Sequence, residues 1–283
     1  MKIKTVFLVS VMAICGFSAS ASVPNYTAPH RIDISGEVYH PVLSPDGSTL
    51  LFSSVNYTGL NSLDLSTGKI SVIDQSAAAG FEPTFSHDGS KIYYRTAVKI
   101  NKLLNHDVRC YDVNAAKVAE IEKPNRNKRV LKAIDRQTYV VTDFDHIDVV
   151  VDGKSTALDP VADAHSYLWA SLSPDGTRIL FTEPFYGVFI CNLDGTGLKS
   201  VMSRGDYPCW IDDNTVAAVV SHDDGYIVTD AAIVLANLTS GETANATTPD
   251  YIVGELTASP ATRSIIFTTV EGELFQINPA NPE

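Results

Sequence analysis

Pro41–Ser53 reads PVLSPDGSTLLFS, and the same phrase returns as PTFSHDGSKIYYR at Pro83–Arg95 and as ASLSPDGTRILFT at Ala170–Thr182. Each copy places a tight turn between an apolar stretch and an alternating β-branched or aromatic run. In Ser-Pro-Asp-Gly the proline presets φ for the second position of a type I turn. Aspartate suits the third position, and glycine takes the left-handed conformation that follows. That geometry closes an antiparallel hairpin.

The first two turns are 42 residues apart and the third lies 87 further on, about two periods, so a degenerate copy is expected between them. It is found at Leu131–Val141 (LKAIDRQTYVV), where Asp135-Arg136-Gln137 replaces the proline-glycine turn. A fifth copy is Pro208–Val220 (PCWIDDNTVAAVV), turning at Asp212-Asp213-Asn214, and a sixth is Leu256–Thr268 (LTASPATRSIIFT). A second hairpin follows in each unit. Ser62–Leu65 and Lys69–Ile73 flank Ser66-Thr67-Gly68, Val188–Leu193 and Leu198–Met202 flank Asp194-Gly195-Thr196-Gly197, and Ala231–Asn237 precedes Thr239-Ser240-Gly241. In the third unit Asp152-Gly153 turns between Asp148–Val151 and Lys154–Ala157. Six units of about 44 residues with four strands each have the spacing of propeller blades. The expected fold is all-β, a six-bladed β-propeller of four-stranded antiparallel blades, with no helix past the leader.

The sixth unit lacks a fourth strand, because Pro279-Ala280-Asn281-Pro282 follows Glu273–Ile277. Arg31–Ser35 (RIDIS) alternates and is otherwise unassigned. It is expected to pair as the outer strand of the last blade, which would leave no open sheet edge.

The blade phrase, together with the following apolar-x-x-Asp-apolar-x-x-Gly pattern, resembles the WD-like repeat of the TolB-like propeller superfamily. The match is best at residues 41–69, with 83–95 and 170–197 close behind. True WD repeats end the third strand in Trp-Asp, whereas the equivalent pairs here are Leu63-Asp64, Tyr111-Asp112 and Asn192-Leu193. The sialidase Asp-box does not fit either, because glycine follows aspartate directly. About 20 residues lie between the cleavage site and the first repeat, and none follow residue 283. Neither the N-terminal domain of TolB nor a fused peptidase domain is therefore expected. The resemblance implies a stand-alone propeller with a periplasmic or secreted binding or scaffolding role.

Residues 1–21 carry Lys2 and Lys4, an apolar run from Val6 to Phe17, and Ala19-Ser20-Ala21 as a small-x-small cleavage signal, the pattern of a secretory signal peptide. The run is too short to span a bilayer. Residues 22–283 are then expected to form one exported propeller domain. A lipoprotein acylated at Cys15 is the rival reading, disfavoured by bulky Ile14. The formal net charge of −12 includes Lys2 and Lys4, so cleavage takes it to −14. That balance repels nucleic acid and anionic membranes. Cys110, Cys191 and Cys209 are scattered and odd in number, which reads as buried thiols rather than a disulfide framework.

Propellers bind where the loops leading into the innermost strands meet the channel. Those segments hold Tyr39, His40, Phe81, Glu82, Arg126, Arg129, His165, Tyr167, Trp169, Asp206, Tyr207, Trp210, Tyr251 and Glu255. Tyr39, His40, Glu82, His165, Tyr167, Tyr207 and Glu255 are the expected ligand-binding residues. Rings with an apolar face and a polar edge suit a protein, peptide or glycan. Trp169 and Trp210 are expected to pack between blades. Asp143, Asp145, His146 and Asp148 could ligate a metal, but they lack the glycine and distal glutamate of a calcium loop, so solvated loop residues are expected there. His222-Asp223-Asp224-Gly225 reads the same way. The sequence holds no cofactor motif, and neither G-x-S-x-G nor H-E-x-x-H. A non-catalytic binding module is expected. The alternative is a carbohydrate lyase or hydrolase working through rim histidines His40 and His165 and carboxylates such as Glu82 and Glu255.

Overall fold

The computed structural model describes residues 22–125 and 136–280. The leader, Arg126, Arg129 and the expected first strand of the third blade lie outside them. Six antiparallel sheets follow one another along the chain. β1 (His30–Ile32) stands apart in sequence from the blade it completes. Blade 1 is β2 (Tyr39–Leu43), β3 (Thr49–Ser54), β4 (Thr58–Asp64) and β5 (Ile70–Asp74). Blade 2 is β6 (Thr84–Phe85), β7 (Lys91–Ile100), β8 (Leu103–Asp112) and β9 (Lys117–Asn125). Blade 3 shows β10 (Thr138–Asp143), β11 (His146–Val151) and β12 (Lys154–Leu158) among the described residues. Blade 4 is β13 (Leu168–Leu172), β14 (Arg178–Glu183), β15 (Gly187–Asn192) and β16 (Lys199–Met202). Blade 5 is β17 (Asp206–Asp212), β18 (Thr215–Asp223), β19 (Val228–Asn237) and β20 (Thr243–Asn245). Blade 6 is β21 (Val253–Ala258), β22 (Ile265–Thr269) and β23 (Leu274–Ile277). The only described helical turns are short 3-10 segments at Val55–Tyr57 and Pro249–Tyr251.

Blade 6 takes its outer strand from the other end of the chain. β1 pairs antiparallel with β23, His30 opposite Gln276 and Ile32 opposite Leu274. The pairing starts one residue before the expected Arg31. The ring is therefore closed by joining both ends of the fold in one sheet.

The repeated turn does more than the sequence shows. Gly47 N–H donates to Ser44 C=O as a type I turn requires, and Gly47 sits at φ 73°. The Asp46 carboxylate accepts from the Ser44 and Ser48 hydroxyls (2.6 and 2.9 Å), and Thr49 N–H donates to Ser44 Oγ. The same lattice recurs at Ser86, Asp88 and Ser90 and at Ser173, Asp175 and Thr177. Serine before the turn, aspartate in it and Ser/Thr after it lock the hairpin from within, and adjacent blades add Ser259 OH to Pro45 C=O and Asp175 N–H to the Asp213 carboxylate.

Apolar faces of adjacent blades meet in separate clusters. Leu51, Leu60, Phe85, Ile92 and Tyr94 join blades 1 and 2, and Ile147, Val149, Tyr167, Ile179 and Phe181 join blades 3 and 4. Leu43, Leu50, Phe52, Ile266 and Leu274 join blades 1 and 6. Burial of this kind, at about 25 cal/mol per Å2, drives the ring shut.

Candidate functional site at the channel mouth

First strands and the segments beside them line a central channel of about 1200 Å3, which Thr84, Thr138, Ala170, Pro208 and Thr257 help to wall. Small side chains on these strands leave the axis open. At one end, called here the upper face, the channel meets the loops that enter the first strands. The loops joining second to third strands lie on this face too.

The first strands carry a repeated distortion at this end. His40, Glu82, Trp169 and Tyr207 all have left-handed backbones, with φ of 55°, 48°, 52° and 51°. In blades 1, 4, 5 and 6 the ladder slips at the same place, between Tyr39 and Val42, Leu168 and Ser171, Asp206 and Cys209, and Val253 and Glu255. A bulge of this type turns one side chain out of the pleat and bends the strand. Non-glycine residues in this conformation are costly and cluster where structure serves function.

Their side chains meet in a belt around the mouth. The Trp169 and Tyr207 rings lie 4.6 Å apart. Tyr207 lies near Glu255, and burial first, then that carboxylate, pushes its phenol up to about 12. Glu255 Oε2 accepts the His40 backbone N–H (2.5 Å), and Oε1 lies 2.9 Å from His40 Nδ1. The His40 ring stacks on Tyr57 at 3.8 Å, Tyr57 meets Phe81 edge-on at 4.8 Å, and Arg95 caps Phe81 at 3.9 Å. Burial lowers the pKa of Arg95, while Glu82 acts to raise it. The contacts run from blade 4 through 5, 6 and 1 to blade 2. Asp206 stands beside Tyr207, half-buried, and burial raises its carboxyl above the usual range.

Of the expected ligand-binding residues, the structure brings His40, Glu82, Tyr207 and Glu255 to this mouth. Tyr39 adjoins it, its hydroxyl on Glu37. His165 lies on the same face but outward, its exposed ring 4.7 Å from Phe185. Tyr167 does not reach the mouth. It is buried between blades 3 and 4, donating to Asp159 and accepting from Val161 N–H. Trp210 is buried, under Arg178 and with its indole N–H toward Ser171 C=O, and both it and Trp169 border the channel. Tyr251 packs edge-on against Phe267 and Phe275.

Three contributors escape sequence reading. Tyr57 and Arg95 come from second-strand hairpins, not from the loops that enter first strands. Glu183 is wholly buried and accepts N–H bonds from His165, Phe185 and Tyr186. Burial opposes its charge, but these donors prevail and hold its pKa below the ordinary value.

His146 sits 2.7 Å from Asp145 and 3.4 Å from Asp148. No cluster of three or more His, Cys, Asp or Glu suited to a metal occurs among the described residues. Cys110, Cys191 and Cys209 are free thiols. Burial pushes Cys191 up to about 11 and Cys209 up to about 12.

No protein-family description matches the chain, and no curated protein does. Solved structures do. A putative TolB from Agrobacterium tumefaciens aligns with a TM-score of 0.57 at 16% identity, covering 91% of this chain and 99% of that one. A calcium-binding protein, regucalcin, from the same organism gives 0.57 at 15%, covering 93% and 98%. The tricorn protease gives 0.54 at 17%, covering 88% of this chain but 26% of its own, so the chain spans about a quarter of that protein. At these identities the likeness establishes the fold alone, a six-bladed β-propeller.

Proposed function

We propose that the chain is an exported binding module that holds a protein, peptide or glycan at its upper channel mouth. One observation carries this reading: the belt Trp169–Tyr207–Glu255–His40–Tyr57–Phe81 draws its members from five blades and is fixed before any ligand arrives. Preorganised rings offer contact area at little entropic cost. Both oxygens of Glu255 are engaged by His40, which fixes the carboxylate in the belt. The leader at residues 1–21 supports export, and among the described residues no helix is long and apolar enough to cross a membrane. The acidic balance disfavours nucleic acid.

The test is a screen of the purified protein against a glycan array and a peptide library. Hits are expected to lose affinity by about tenfold or more in Trp169→Ala and in Tyr207→Ala, the range for removing an anchoring aromatic. Hits indifferent to both changes would place binding elsewhere. Turnover of a polysaccharide by the wild type that is lost in His40→Ala would replace the reading with a lyase or hydrolase. N-terminal sequencing of exported protein is expected to begin at Ser22.

A further inference from the structure

Two of the hairpins joining second to third strands rise above the rest. Blade 2 pairs Lys91–Ile100 with Leu103–Asp112 without a break, and blade 5 pairs Thr215–Asp223 with Val228–Asn237. The corresponding strand of blade 4 has 6 residues where β7 has 10. The excess lifts the blade 2 tip by about 13 Å at ~3.3 Å per residue. Ala97 N–H bonds to Ala77 C=O and braces the stem, and Asn101-Lys102, both at positive φ, turn the tip as a two-residue type I′ loop. In blade 5 the Asp224 carboxylate accepts from Tyr226 and Ile227 N–H and holds that tip. Three positions separate blades 2 and 5 in a ring of six, so the two tips stand on opposite sides of the mouth.

Both tips are apolar and exposed, with Ile100, Leu103 and Leu104 on one and Tyr226, Ile227 and Val228 on the other. Tyr226 is 94% accessible. Large rings left in water mark interaction surfaces. Their charges are opposite. Exposed Lys99 and Lys102 flank the blade 2 tip, and exposed Asp223 and Asp224 flank the blade 5 tip.

We propose that the chain forms a face-to-face homodimer in which the blade 2 tip of each copy seats on the blade 5 tip of the other. A two-fold axis in the plane of the upper face, perpendicular to the line joining the tips, lays each tip over its complement. Every contact then occurs twice, as a two-fold interface requires. The same rotation carries blade 3 over blade 4, whose short hairpins face each other across the space that the tall tips hold open. Lysine meets aspartate and apolar surface meets apolar surface at each station, and no further partner is needed to cover them. The dimer turns the two mouths toward each other across a gap bounded by the hairpins. This inference stands apart from what the mouth binds.

Sedimentation velocity across a dilution series tests it. The wild type is expected to move from one copy to two as concentration rises, and to dissociate at high salt. Lys99→Glu with Lys102→Glu leaves both tips acidic, and Asp223→Lys with Asp224→Asn, which keeps the oxygen that accepts Tyr226 and Ile227 N–H, leaves both basic. Each double variant alone is expected to stay single, and an equimolar mixture of the two to regain the two-copy species. The changes are exposed, so melting temperatures should match the wild type and separate lost association from lost folding. A wild type that stays single at every concentration overturns the proposal. So does a mixture that fails to recover, or tips that instead bind phosphatidylcholine vesicles.

Discussion

Glu183 shows how one residue can organise a face without touching a ligand. Its carboxylate gathers the backbone of His165 from one loop and of Phe185 and Tyr186 from another. Because its pKa is lower folded than unfolded, its contribution to stability is complete above the unfolded value of about 4.3 and is lost as pH falls through the folded one. Glu183→Gln, which keeps the shape but not the charge, is expected to lower stability at pH 7 by about 1–3 kcal/mol. The two proteins should converge once pH falls below the folded-state value. Paired thermal melts across pH measure this, and a gap that persists unchanged into acid would remove the charge from the account. Tyr167 gives the complementary case. Tyr167→Phe strands Asp159 and the Val161 N–H and is expected to cost about 1–2 kcal/mol in denaturant melts, with ligand binding at the mouth unmoved.

At the scale of the element, the turns were readable and the bulges were not. Pro45-Asp46-Gly47 announces its conformation because each residue has one strong local preference. His40 and Glu82 announce the opposite of what they adopt, since each precedes a proline, which biases the residue before it toward extended backbone. The left-handed φ of His40 is imposed by the ladder slipping against the next strand between Tyr39 and Val42, a tertiary effect with no local signature, and Glu82 takes the same φ just ahead of β6. For the same reason the loops named the mouth residues His40, Glu82, Tyr207 and Glu255 but could not show that Tyr167, two residues from Trp169, turns into the core. Tyr57 was missed because it arrives from the loop joining second to third strands rather than from one that enters a first strand. A direct check of the imposed strain is Glu82→Gly. Its side chain is exposed and its φ is 48°, so glycine is expected to raise unfolding free energy by about 0.5–1 kcal/mol, relief of left-handed strain exceeding the added chain entropy. A loss of stability would mean that the carboxylate, through Arg95, matters more than the backbone.

A ring of blades is only as stable as its seam, and here the seam is made by chain ends that meet without a covalent bond. β1 and β23 share a short ladder, extended by Thr27 N–H to Asn278 C=O and Ala280 N–H to Asn25 C=O (2.9 and 2.8 Å). Tyr26 OH reaches Arg263 C=O at 2.7 Å, and Val23 is buried with Phe267 and Phe275. Removing residues 22–33 deletes these bonds, exposes the edge of β23 and opens the apolar cluster between blades 5 and 6. With several backbone hydrogen bonds and one buried valine lost, the expected cost is about 4 kcal/mol, a fall in melting temperature of roughly 10 °C for a domain of this size. The bare strand is also expected to make the truncated protein aggregate, as unpaired edges do. A synthetic peptide spanning residues 22–35, added in trans, should pair with β23 and restore much of the midpoint. If the truncated protein melts where the full one does, the other blade interfaces already hold the circle, and the N-terminal strand serves only to cover an edge.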